Sequence, residues 1–270
     1  MSSLHASYSL AGLFGAGIGG LFAAAGVGPL PTFATAAVPL TVLGIAASRW
    51  VITPGAHMSG SASAEEPASA SAEEPTSAPP SARKVAMLIW VFGLLALCGQ
   101  VGEGSAGDWS AVYLHDNLGT SAGFAAMGLI AFSVAMAAGR LVGDALAARF
   151  GPVALVRCSG LVAATGLGSG LLSSNPVCGV AGFALLGVGL AAIFPQLVAT
   201  AGRLDPARAG RSFARIAGLG YTGLLGGPVV IGFLAAEIGL AAALLIPAGL
   251  ALIVATFAGV LRAGAAARPS

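Results

Sequence analysis

Apolar residues in this chain come in long unbroken runs, not in the alternating or one-sided patterns of soluble strands and helices. The runs occupy residues 4–25, 33–48, 85–101 with a continuation to 113, 121–143, 152–172, 177–201, 212–236 and 240–261. At about 1.5 Å per helical residue, such runs cross or nearly cross the roughly 30 Å hydrocarbon layer of a bilayer. The pattern predicts an all-α membrane protein of eight transmembrane helices with both termini on one side. The second run is the shortest and carries Pro39, and Pro195, Pro228 and Pro247 inside later runs predict kinks.

Composition removes the soluble alternative. Of the 270 residues 57% are hydrophobic and 8% charged, against about 25% charged in soluble proteins. A net charge of +2 adds nothing, and no surface for nucleic acid is discernible. Residues 1–5 lack the basic start of a cleaved signal peptide, so the first helix is expected to be retained. Cys98, Cys158 and Cys178 stand singly in apolar segments, which predicts small buried hydrophobes instead of metal ligands or disulfides. No cofactor or metal is implied.

The polar stretch over residues 53–82 contains the repeat Ser-Ala-Ser-Ala-Glu-Glu-Pro at 61–67 and again at 69–75. With so little to bury, it is expected to be a disordered linker whose Glu65, Glu66, Glu73 and Glu74 are solvating charges. Four parts result: residues 1–50 with two helices, a linker over 51–84, a six-helix bundle over 85–262, and a tail over 263–270. All 12 Lys and Arg residues fall near connections on one face of this eight-helix scheme, while Asp108, His115, Asp116 and Glu237 occupy the other. The positive-inside rule then places the termini and linker in the cytoplasm. A shift of 206 residues superposes Ala11, Gly12 and Leu13 on Ala217, Gly218 and Leu219, and Gly17, Gly20 and Gly26 on Gly223, Gly226 and Gly232. The first and last helix pairs would thus be counterparts in a six-plus-six repeat lacking its first four helices.

Candidate chemistry is concentrated in a few places. Gly139, Arg140, Gly143, Asp144 and Arg149 lie where a glycine-spaced helix end meets a short turn. Asp144 can pair with Arg140 one turn back, pair with Arg149, or cap a neighbouring helix, and such a cluster suits a cytoplasmic gate; a static arginine-rich loop is the alternative. Glu103, flanked by Gly102 and Gly104, is expected toward the outer end of its span, where the glycines allow a broken helix. It is either a cavity or coupling residue or an outer-rim carboxylate bonded to the backbone. Gln100 one turn earlier, Gln196 beside Pro195, and Tyr221 among glycines are further cavity candidates, with interhelical packing as the alternative for Gln196. Trp109 reads as a headgroup anchor or a stacking platform. The Gly15/Gly19, Gly139/Gly143, Gly166/Gly170 and Gly223/Gly227 pairs suit close helix packing. His5, His57 and His115 are isolated and read as surface residues.

The string Gly139-Arg140-Leu141-Val142-Gly143-Asp144, continued by Leu146, Arg149, Gly151 and Pro152, resembles the signature loop joining helices eight and nine of the major facilitator superfamily. The segment from Gly102 to Leu114 resembles the seventh helix of its MosC-like and fucose-permease-like bacterial branch, and His5, Ala6, Ser9, Leu10 and Gly12 resemble the start of that branch's fifth helix. The resemblance implies helices 5–12 of that fold, with residue 1 where the fifth helix begins. It also implies secondary active transport of a small polar organic solute by alternating access in the bacterial cell membrane. Glu103 is the candidate for proton coupling. No intramembrane reacting constellation points to an enzyme. The expected partners are the lipid bilayer, a small solute and a proton, with no nucleic acid. The competing reading is a truncated, non-transporting half-transporter, or one needing a partner chain that supplies the missing helices.

Overall fold

The computed structural model describes residue 22, residues 25–48 and residues 82–265, which fall into two compact units, one within residues 14–79 and one containing 82–265. Most of the first predicted span, most of the linker, and residues 266–270 lie outside the described residues, as do His5, His57 and the Gly15/Gly19 pair. In the smaller unit the helix α1 (Pro29–Ser48) runs through Pro39 and is apolar from Leu30 to Ala46. Two of its threonines bond to their own backbone: Thr32 Oγ1 donates to the Gly28 carbonyl and Thr35 Oγ1 to that of Pro31, each at 2.9 Å. These bonds satisfy hydroxyls on an otherwise apolar helix without calling on water.

In the larger unit the described residues form helices joined by short turns. Its elements are α2 (Ala82–Val112), prolonged by a π-helical turn (Tyr113–Asn117), α3 (Ala122–Phe150), α4 (Pro152–Leu172), α5 (Pro176–Ala191), α6 (Ile193–Leu204), α7 (Ala209–Ile238), α8 (Leu240–Ala243), α9 (Leu245–Phe257) and α10 (Arg262–Ala265). Since α5 continues into α6, and α8 into α9, the described residues contain six helices long and apolar enough to cross a membrane. Their boundaries match the runs in the sequence, with three consequential extensions. The first of the six starts at Ala82, so the last residues assigned to the linker are helical, and it ends at Asn117; the second continues to Phe150.

Local chemistry explains the ends. Ser121 caps α3 by accepting from the Phe124 N–H, and Asn175 caps α5 by accepting from the Val177 and Cys178 N–H groups, with Pro176 following as the first helical residue. Between α3 and α4 the whole turn is Gly151, and between α7 and α8 it is Gly239. Their φ values of +80° and +81° lie in the left-handed region, where a side chain would be strained.

The predicted proline effects divide. The helical pattern is interrupted at Ala192 and Leu244, each three residues before a proline, whereas α7 passes through Pro228 without interruption. The core packs α2 on α7 and α9, α5 on α3 and α4, and α4 on α9. Small residues let these backbones meet. Gly223 of α7 faces the Leu97 carbonyl, Gly227 faces Val101, and Gly170 of α4 meets Gly182 of α5, which suits membrane interfaces where close packing replaces the hydrophobic drive. The outer surface is apolar, with Leu141, Leu172, Leu225 and Phe233 all more than 70% exposed. Cys158 and Cys178, expected to be buried, lie exposed on that surface, and Cys98 is half-buried. A chain whose solvent is lipid has no need to bury a small apolar thiol.

Candidate functional site: an ion pair inside the helix bundle

Glu103 and Arg140 face each other across α2 and α3. The Arg140 guanidinium donates through Nη2 to both carboxylate oxygens, at 3.3 Å to Oε1 and 3.2 Å to Oε2. Their side chains are 15% and 7% exposed. Each residue lies at least ten positions from either end of its helix, or about 15 Å at the helical rise. Opposite charges in such surroundings are tolerated when each compensates the other, since an isolated charge would bear the full desolvation cost.

This placement differs from the sequence expectation for both residues. Glu103 was expected near the outer end of its span and Arg140 at a cytoplasmic turn. Because α2 runs on to Asn117 and α3 to Phe150, both are drawn into the interior. The helix is also unbroken around Glu103. Gly102 and Gly104 serve packing: a side chain at 102 would meet Leu190 Cδ1 at 2.8 Å, and one at 104 would collide with the Leu224 carbonyl of α7. That carbonyl is the one Pro228 leaves without its usual helical donor, so α7 presents an open backbone acceptor where α2 has only hydrogen atoms.

The remaining candidates distribute around the pair. Arg140, Gly143, Asp144 and Gln196 line one crevice of about 10 Å³, together with Ala191, Ala192 and Pro195 at the interruption between α5 and α6. That volume is at the lower limit for one water molecule. Gly139 packs against Ala191, with a side chain there meeting Ala191 Cβ at 2.7 Å, while Gly143 has no such neighbour within 4 Å. Asp144 is exposed, and no ion pair reaches it among the described residues. Gln100 lies on α2 against Gly220 of α7. Two candidates stand apart: Tyr221 is 60% exposed, and Arg149 lies over the Phe150 ring, 5.3 Å from its centroid, at the end of α3.

Other polar residues tie the bundle together in ways the sequence did not disclose. Trp109, read as a headgroup anchor, is half-buried and donates its indole N–H to the Pro228 carbonyl at 3.0 Å, joining α2 to α7. Tyr113, 1% exposed, donates its hydroxyl to the Leu171 carbonyl at 3.2 Å and meets the Phe183 ring edge-on. The signal was present in the residue types, because a buried Trp or Tyr needs a partner for its polar end. His115 is exposed, with Nδ1 2.6 Å from the Thr120 carbonyl oxygen.

Comparison with known proteins bears on the whole bundle. The family model for the Major Facilitator Superfamily matches residues 104–269. An uncharacterized transporter of Sinorhizobium fredii is 39% identical over 174 residues, which is 64% of this chain and 46% of that protein. Membrane protein MosC of Rhizobium meliloti is 33% identical over 165 residues, or 61% of this chain and 40% of that protein. An uncharacterized MFS-type transporter of Yersinia pestis is 30% identical over 235 residues, covering 87% and 56% respectively. The chain thus spans about half the length of the curated relatives it matches. No solved structure matches it. With the family model covering more than half of its residues, and six helices able to span a bilayer, this chain is a multi-pass membrane protein belonging to the Major Facilitator Superfamily.

Proposed function

We infer that the protein acts in secondary active transport of a small polar organic solute by alternating access, with the Glu103–Arg140 pair as its charge-coupled element. The observation that carries this reading is the pair itself, a carboxylate and a guanidinium held together deep in a spanning bundle. Ionisable residues at that depth usually mark a substrate or ion path. Protonation of Glu103 would remove one charge of the pair and leave Arg140 to seek another anion. Asp144 stands one helical turn along α3 and lines the same crevice as Arg140. In this reading Arg140 exchanges Glu103 for Asp144 or for an anionic group of the solute, and the exchange distinguishes two states of the bundle. Gln196 and Gln100 offer amides to the solute. Arg149 belongs to the gate at the helix end, and Tyr221, which is exposed, lines the path only in an assembly that covers it.

The six-helix unit corresponds to the C-terminal bundle of the family fold, and α1 with the predicted first span to a helix pair of the other bundle. The distribution of arginine and lysine supports a bacterial cytoplasmic membrane location with both termini in the cytoplasm.

The test is uptake by proteoliposomes containing this 270-residue chain, using labelled monosaccharides and polyols under an imposed pH gradient. Gradient-driven uptake that disappears in Glu103→Gln, while exchange of unlabelled for labelled solute persists, is the expected result. No uptake by the chain alone, with uptake restored by a co-reconstituted longer relative, would assign transport to an assembly and overturn autonomous function.

A further inference from the structure

A second charged region lies away from the Glu103–Arg140 pair. Where α2 begins and α6 turns into α7, a cavity of about 480 Å³ is bounded by Arg208, Arg211 and Arg215, with Asp205 and Ser212 beside them and the apolar side chains of Val85 and Ile89 opposite. The arginines follow one another at intervals of three and four residues, which sets them on one side of the start of α7. All three are exposed, and none of their guanidinium groups has an ion-pair or hydrogen-bond partner among the described residues. The one carboxylate in the cavity is already engaged, since Asp205 Oδ1 accepts from the Arg208 backbone N–H at 3.2 Å. Three positive groups therefore face one negative group.

One further observation gives the cavity a direction. Ser212, only 5% exposed, lines the same cavity, and its hydroxyl has no hydrogen bond among the described residues. Guanidinium groups and a hydroxyl together match the oxygens of a phosphate.

We propose that this cavity binds the phosphate of an anionic phospholipid headgroup from the leaflet at that end of the bundle. Arg211 and Arg215 grip the phosphate, Ser212 donates to it, and the apolar wall of Val85, Ala86 and Ile89 accommodates the adjoining glycerol and first methylenes. A lipid is favoured over a soluble phosphate because the cavity joins an arginine rim to an apolar wall on a membrane-spanning unit, as basic pockets between spanning helices do when they hold headgroups. The site is independent of the transport reading.

The experiment is native mass spectrometry of the full chain in detergent, titrated in parallel with phosphatidylglycerol and phosphatidylcholine. Retention of phosphatidylglycerol should exceed that of phosphatidylcholine, fall about tenfold or more in Arg211→Gln/Arg215→Gln, and stay unchanged in Arg157→Gln, which removes an exposed arginine outside the cavity. In the unaltered chain, raising the salt concentration should weaken phosphatidylglycerol retention alone. Equal retention of both lipids, or an equal loss in Arg157→Gln, would overturn the proposal. A parallel arm offers inorganic phosphate. Phosphate bound by the unaltered chain and lost in the double variant, with no preference for phosphatidylglycerol, would retain the anion site but overturn the lipid as its source.

Discussion

Arginine occupies two opposite settings in this bundle. Arg140 is 7% exposed and bound to a carboxylate, whereas Arg208, Arg211 and Arg215 are exposed around an open cavity and their guanidinium groups have no carboxylate partner among the described residues. In the interior the low dielectric makes the partner indispensable, so charge and position must be specified together. At the end of the helices, water and headgroups solvate each guanidinium singly, and the same residue type carries no structural obligation. One chemical group is thus fixed by a partner in one place and left to its solvent in the other.

The largest expected effect breaks this contrast directly. Glu103→Leu leaves Arg140 buried without its carboxylate and should destabilise the protein by about 3–5 kcal/mol, while Glu103→Leu/Arg140→Met should recover most of that loss. Both are measurable by denaturant titration in mixed micelles, and a single-variant cost below about 1 kcal/mol would place Arg140 in the same category as a surface pair. Next in size is the seam that holds Glu103. Gly104→Ala should cost about 1–3 kcal/mol because the Leu224 carbonyl occupies the space. Gly143→Ala, with no atom within 4 Å, should be neutral or stabilise the helix by up to about 1 kcal/mol. Equal effects at the two glycines would show that the seam is not rigid. Trp109→Phe removes the bond to the Pro228 carbonyl and should cost about 0.5–1.5 kcal/mol, read from the same titration. The smallest effect belongs to the other setting: Arg211→Gln should change stability by no more than about 0.5 kcal/mol, and a larger loss would mean that the open arginines are structural after all.

The six long helices were readable because an apolar run of spanning length has few alternatives. The run at 152–172 reproduces α4 residue for residue. The ion pair was not readable, for a specific reason. The apolar window near Arg140 closes at Gly143, and the strongly apolar part of the run before Glu103 closes at Val101 with a weaker continuation to Tyr113, yet small residues with a few charges carry the helix on to Phe150 in one case and Asn117 in the other. Cutting the windows short moved the two residues to opposite membrane faces. Their 37-residue separation in sequence then concealed the contact. Gly102 and Gly104 were recognised as unusual, but a glycine's identity does not distinguish a break from a close approach. That distinction depends on where α7 lies, and a neighbouring backbone leaves no trace in the local sequence.

The single-residue turns have a mechanical consequence. Gly151 alone separates α3 from α4, and Gly239 alone separates α7 from α8, so neither junction contains slack chain. Any tilt of α3 against α4 would have to be absorbed by the backbone angles of that one glycine, and Arg140 rides on α3. In the proposed exchange of partners, movement of Arg140 along α3 would therefore reach α4 with no loose segment between them.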